Sequence, residues 1–338
     1  MSKSRIREAI EGYLFLLPNL LGFLVFFAVP LAISFYYSFT DYNLFTDPKL
    51  VGISNYSKAL GFSLNPAAYE RALAGGKSWL DAVQNYYIQT NDPTFWTALQ
   101  NTIVYAFGVL ACSIAPAFLL AWMLNSKLGG MTIFRALIYI PVVASIVGSA
   151  LVWFWIFHGQ VGILNTIISA IVGGLNYLIF NPLGHPLVDP HIGWLTSPDW
   201  ALFSLILMTS WATIGYDMVV FLAALQGIPT HLYEAATIDG AGRWNILFRI
   251  VVPLMTPTIF FLLITNTIAS LQIFSEPYIM TQGGPANSTL TIVYYLYQKG
   301  FQRFQMGYGA SLAWIVFALI FIVTIAQFRF SSRWVYEE

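Results

Sequence analysis

LLPNLLGFLVFFAVPLAISFYYSF, residues 16–39, runs for 24 residues without one Asp, Glu, Lys or Arg. A helix rises about 1.5 Å per residue, so about 20 apolar residues cross the roughly 30 Å hydrocarbon core of a bilayer. Six stretches of the chain reach that length: 13–36, 102–124, 133–157, 201–225, 250–274 and 309–328. The composition agrees, with 58% apolar and 9% charged residues and a mean hydropathy of +0.69, against roughly a quarter charged in a soluble domain. These features predict an all-α integral membrane protein with six transmembrane helices. A seventh apolar stretch, 161–180, is interrupted by Asn165, Thr166, Gly173, Gly174 and Asn176 and reads as an interfacial or re-entrant segment.

The implied segments are an N-terminal tail (1–12), a first span (13–36), an external cap loop (37–101), a core (102–328) and a C-terminal tail (329–338). Lys3, Arg5, Arg7, Lys127, Arg135, Arg243, Arg249, Arg329 and Arg333 fall on short segments of one face. Lys49, Lys58, Arg71, Lys77, Lys299 and Arg303 are spread over longer loops of the other. The positive-inside rule then puts both termini in the cytoplasm of a multi-pass plasma membrane protein, with membrane lipid around it. Balanced charge, 15 basic against 15 acidic residues, gives no field to attract nucleic acid. Cys112, the single cysteine, cannot form an internal disulfide. Gly76-Lys77-Ser78 lacks the glycine of a phosphate-binding loop, having Arg71 in its place. His158, His185, His191 and Asp189 share a loop, but their spacing matches no metal-ligand motif.

The loop between the fourth and fifth spans, about 227–253, opens GIPTHLYEAATIDGAGRWNILFRIVVP. Pro229 and Thr230 start a short helix, with the Thr230 hydroxyl expected to cap it. Leu232, Ala235, Ala236 and Ile238 give it an apolar side, Gly240 and Gly242 break it, and Pro253 and Pro257 open the next span. A short helix with alanines on its surface and one charge, Glu234, suits close docking against a partner. An amphipathic connector without a partner fits the pattern equally.

This stretch resembles the EAA loop of ABC importer permeases, whose pattern is EAA, three residues, Gly, nine residues, then I-x-L-P. Glu234, Ala235, Ala236, Gly240, Ile250 and Pro253 match at the right spacing, and Val252 stands where Leu is usual. The first span and MTQGGPANSTLTIVYYLYQKGFQRFQMGYGAS (280–311) are similar to the carbohydrate-uptake branch. The insertion at 41–95 is longer than the plain pattern and far shorter than the insert of the maltose permease.

The resemblance implies a type I (MetI-like) importer fold in a bacterial or archaeal membrane. Glu234, Ala235, Ala236, Asp239 and Gly240 would couple to two cytoplasmic ATPase subunits. A second permease, a different chain, would complete the path, and an extracellular solute-binding protein would deliver a sugar. No cofactor is expected on this chain, ATP and magnesium belonging to the ATPase; it is not expected to be an enzyme.

Polar side chains inside spans face protein or a watery path. Thr209, Thr213, Tyr216 and Asp217 share a face of span four, and Asn266, Ser270, Gln272 and Glu276 lie close together on span five. Thr213, Tyr216, Asp217, Asn266, Ser270 and Gln272 are the candidates for a substrate path. Hydrogen bonding between packed helices is the alternative role. No Lys or Arg falls mid-span, which predicts an uncharged sugar or polyol. A secondary transporter would need an ion-coupling carboxylate network, and a membrane enzyme convergent acids and bases; neither pattern stands out.

Overall fold

The computed structural model describes residues 3–79, 88–125, 130–180, 187–188 and 191–336; Lys127, His185 and Asp189 lie outside them. Among the described residues, five helices are long and apolar enough to cross a membrane: Glu11–Ser38, Pro93–Leu124, Pro198–Gly227, Arg243–Leu271 and Met306–Ser331. We number these spans 1, 2, 4, 5 and 6. The third expected span, 133–157, is not one straight helix. It is a pair, Met131–Val143 and Ile146–Ile156, bent by 101° at the break, and the count of six holds when the pair is taken as one broken span.

Pro141 lies inside the first half, which continues as helix to Val143. Ala144 and Ser145 then leave helical geometry at ψ 142° and 134°. The Ser145 carbonyl accepts from the Ser149 N–H at 2.9 Å and starts the second half. Residues 163–178 form a shorter apolar helix, consistent with a segment that does not span.

The chain divides into two compact units, one of Met1–Pro93 with Leu296–Phe317, the other of Thr94–Tyr295 with Ala318–Glu338. In the first, span 1 leads into the cap, which holds the short helices Ser54–Leu60 and Pro66–Ala74. It also contains two short antiparallel strand pairs, Thr40–Asp41 with Lys49–Leu50 and Phe62–Leu64 with Ile88–Thr90. Buried polar groups pin the cap down. Asn55 Nδ2 donates to the carbonyls of Ser38 and Thr40 at 3.0 and 2.9 Å, and Tyr56 Oη donates to Ser38 Oγ at 2.7 Å.

In the second unit, span 4 is the most enclosed of the membrane-length helices, with half of its most apolar window buried. Its lower hydropathy is the corollary: a helix surrounded by protein can carry Thr, Ser and Asp that lipid would penalise. Met218, Phe221, Leu222 and Leu225 of span 4 pack with Ala117 and Ala121 of span 2 and Val251, Met255 and Leu262 of span 5. Gly215 brings span 4 against the first half of the broken span. A β-carbon there would sit 2.5 Å from the Ile138 carbonyl oxygen, so only a bare α-carbon permits this approach.

Candidate functional site

The elbow between spans 4 and 5 begins with the helix Thr230–Ile238. Its cap position is Pro229, and no side chain bonds the free amides there. Thr230 therefore sits inside the first turn and does not act as the cap. The far end closes tightly. Gly240 adopts φ +74°, its N–H bonds the Thr237 carbonyl at 3.0 Å, and the Ala241 N–H bonds that of Ala236 at 2.9 Å. That is the Schellman pattern, with glycine in the left-handed position where a β-carbon is penalised.

The elbow helix has two faces. Leu232 and Tyr233 pack against the core cluster shared by spans 2, 4 and 5, and Ala236 is buried. Burial of Tyr233 pushes its phenol pKa up. On the other side Glu234, Ala235, Asp239 and Gly240 are exposed, and Ile238 is 86% exposed. Next along the chain, Trp244 lies with its ring 5.8 Å from that of Trp122 at the end of span 2, and Arg135 Nη2 donates to the Leu124 carbonyl at 2.6 Å. The latter caps the last turn of span 2 with a cation, where the helix dipole favours one.

Two polar clusters lie among the spans. In the first, Asn266 Nδ2 of span 5 donates to Asp217 Oδ2 of span 4 at 2.8 Å, both residues buried. Ser113 of span 2 borders the same carboxylate. Ser113 Oγ and Asp217 Oδ1 are both enclosed and make no bond of standard geometry, so the serine is a neighbour and not a firm partner. In the second, Tyr105 Oη donates to Thr209 Oγ1 at 2.7 Å, and Thr209 Oγ1 donates to Glu276 Oε1 at 3.4 Å. Glu276 lies beyond the end of span 5 and is buried, not solvated. Burial raises its carboxyl pKa, against the smaller lowering effects of its own backbone and Thr209.

Of the six path candidates, the structure thus joins Asp217 to Asn266. Ser270 is buried one turn on from Asn266, and Thr213 is half-buried and donates to the Thr209 carbonyl at 2.8 Å. Tyr216 and Gln272 are exposed on this chain. Ser113 and Tyr105 are the residues sequence reasoning missed. A lone serine or tyrosine in an apolar run gives no periodic signal, and only the packing reveals what faces it.

Membrane-length helices joined by an exposed elbow define a multi-pass helical membrane protein. Comparison with known proteins agrees. The family described as binding-protein-dependent transport system inner membrane component matches residues 116–336. The chain is 33% identical over 343 residues to the "Probable ABC transporter permease protein YesP" of Bacillus subtilis (strain 168), covering 100% of this chain and 96% of that one. It is 38% identical over 243 residues to the "Lactose transport system permease protein LacF" of Rhizobium radiobacter, covering 70% and 76%. In fold it is similar to a bacterial alginate ABC transporter, solved in complex with an alginate pentasaccharide-bound periplasmic protein. The TM-score is 0.69 at 21% identity, over 98% of this chain and 96% of that one. The chain belongs to the family of binding-protein-dependent transport system inner membrane components.

Proposed function

We propose that the protein is the transmembrane subunit of an ATP-driven sugar importer, and that the elbow helix Thr230–Ile238 is where an ATPase subunit grips it. The observation that carries this reading is the helix's two-sidedness. Leu232 and Tyr233 pack against the core of spans 2, 4 and 5 and Ala236 is buried, while Glu234, Ala235, Ile238 and Asp239 face outward. A push on the outer face is passed directly to the spans, because close-packed interiors transmit strain and do not absorb it. Glu234 supplies a charge to fix register, Ala235 lets a partner backbone approach, and Gly240 holds the turn.

In this reading two ATPase subunits bind ATP and magnesium and alternate the spans between inward-facing and outward-facing arrangements. A second permease of different sequence completes the path, and a solute-binding protein delivers the sugar from outside. Both termini then lie in the cytoplasm of a bacterial or archaeal cell. Thr213, Tyr216 and Gln272 are available to line the path, with Asp217, Asn266 and Ser270 fixing the helices behind it. An uncharged saccharide suits this half, since every Lys and Arg among the described residues lies outside the membrane-length helices or near their ends. The likeness to a lactose permease protein supports a saccharide substrate.

The test is to coexpress the chain with its neighbouring ATPase, second permease and binding protein and to measure uptake of radiolabelled lactose and other neutral saccharides. The Glu234→Ala/Gly240→Val double variant should insert normally, lose ATPase copurification and take up nothing. Undiminished uptake by that variant sinks the elbow's role. A preference for anionic saccharides over neutral ones sinks the substrate class.

A further inference from the structure

We propose that the segment following span 1 forms a saccharide-binding site of its own, a cleft of about 550 Å³ walled by Tyr37, Tyr42 and Phe45 and edged by Thr46, Asp47 and Lys49. The inference rests on the sugar-importer reading and adds to it a sugar contact made by the cap of the first unit.

The volume lies inside the roughly 300–1,000 Å³ range of small-molecule clefts. The composition is what a pyranose asks for. Such a ring has a face of C–H bonds, which packs on an aromatic plane, and a rim of hydroxyls, which need both donors and acceptors. Asp47 accepts, Lys49 donates and the Thr46 hydroxyl, its proton given to Asn43, accepts, and bonds to the two charged groups are stronger than neutral ones.

The walls are fixed before any ligand arrives. The Tyr37 and Tyr42 rings stack at 4.5 Å between centroids, 25° apart. Asn43 Oδ1 accepts from the backbone N–H groups of Phe45 and Thr46 at 3.1 and 3.0 Å and from Thr46 Oγ1 at 2.9 Å. That knot holds Leu44 at φ +68°, a region a branched side chain seldom occupies. Phe45 leans edge-on to Phe304 at 5.2 Å, the Tyr42 carbonyl accepts from the Gly307 N–H at 3.0 Å, and strand pairing sets Lys49 opposite Asp41. Side chains already held in place lose less entropy when a ligand docks, and a loop strained into one shape is a place to look for binding.

The experiment uses the assembled transporter in lipid nanodiscs, without its binding protein, and follows lactose by saturation-transfer difference NMR. Wild type should bind weakly and reversibly. Tyr42→Ala and Asp47→Ala should each weaken binding about tenfold, roughly 1.4 kcal/mol, while Tyr42→Phe, which keeps the ring, should stay near wild type. Thermal unfolding of each variant, expected to match wild type, separates lost binding from lost folding. No signal from wild type at any accessible lactose concentration, or equal signal from all four proteins, overturns the cap site. Uptake with the binding protein restored reads the sugar-importer assignment separately: wild-type uptake without nanodisc binding removes the cap site alone.

Discussion

Asn266 donates its amide to the Asp217 carboxylate across 2.8 Å, joining spans 4 and 5 inside an apolar interior. A carboxylate so placed loses its hydration, and removing its one firm donor leaves a buried group unsatisfied. Asp217→Leu and Asn266→Leu should each lower the thermal stability of the purified complex, by about 1–2 kcal/mol on the scale of hydrogen bonds between membrane helices. The exchange Asp217→Asn/Asn266→Asp keeps one carboxylate and one amide facing each other. It should recover most of what Asp217→Leu or Asn266→Leu loses. Unfolding followed by size-exclusion fluorescence decides the point, and an exchange variant no better than the leucine variants rules out the pair as the source.

Gly240 and Gly242 look interchangeable in sequence, and the structure separates them. Gly240 sits at φ +74° and Gly242 at φ −69°. A β-carbon at the first is strained by about 1–2 kcal/mol, while at the second it meets open space in an ordinary conformation. Gly240→Ala should reduce uptake and ATPase stimulation severalfold with normal membrane insertion. Gly242→Ala should leave both near wild type. Equal effects of the two would mean that the left-handed turn is not what the elbow requires.

Gly215 offers a steric test of the broken third span. A methyl group there would press on the Ile138 carbonyl and the Tyr139 backbone, and overpacking of this kind typically costs about 1–3 kcal/mol. At Gly227, farther along the same span, an added β-carbon would meet nothing within 4 Å. Gly215→Ala should therefore yield less folded protein than Gly227→Ala, measured as monodisperse peak height after extraction. The opposite order would show that span 4 does not touch the broken helix there.

Hydropathy made most of the fold legible, because a bilayer leaves the backbone few alternatives to a helix. Spans 1, 4 and 6 begin and end within three residues of where it puts them, whereas spans 2 and 5 begin nine and seven residues earlier, at Pro93 and Arg243, inside stretches expected to be loop. The third span escaped because a length criterion ignores direction. Residues 131–156 are apolar enough throughout, and neither proline nor glycine stands at Ala144 and Ser145 to signal the bend. The cap strands escaped because two- and three-residue pairs have no periodicity to read. At the elbow, the Glu-Ala-Ala-x-x-x-Gly spacing placed the turn correctly, but capping by Thr230 did not follow, since Pro229 already occupies that position. Among the polar stripes, Asp217 and Asn266 were recognisable as residues too costly to leave facing lipid. That they face each other is a matter of helix rotation, which one sequence does not encode.

Glu276 gives a prediction in pH. It is buried beyond the end of span 5, and burial raises its carboxyl pKa above the unfolded value of 4.5. A carboxyl whose pKa is raised on folding favours the folded state only while protonated. Its contribution is complete below the unfolded value and is lost as pH climbs through the folded one. Wild type should therefore lose stability between the ordinary carboxylate range and the raised folded pKa. Glu276→Gln, which keeps the shape and an acceptor for Thr209, should not. The variant should unfold at a higher temperature than wild type at neutral pH, and the gap should close as the buffer is acidified toward the unfolded value of 4.5. A gap that stays constant, or widens on acidification, would show that the carboxylate is held ionised by a partner stronger than Thr209, and that the Tyr105–Thr209–Glu276 chain is wired differently from the hydrogen bonds described above.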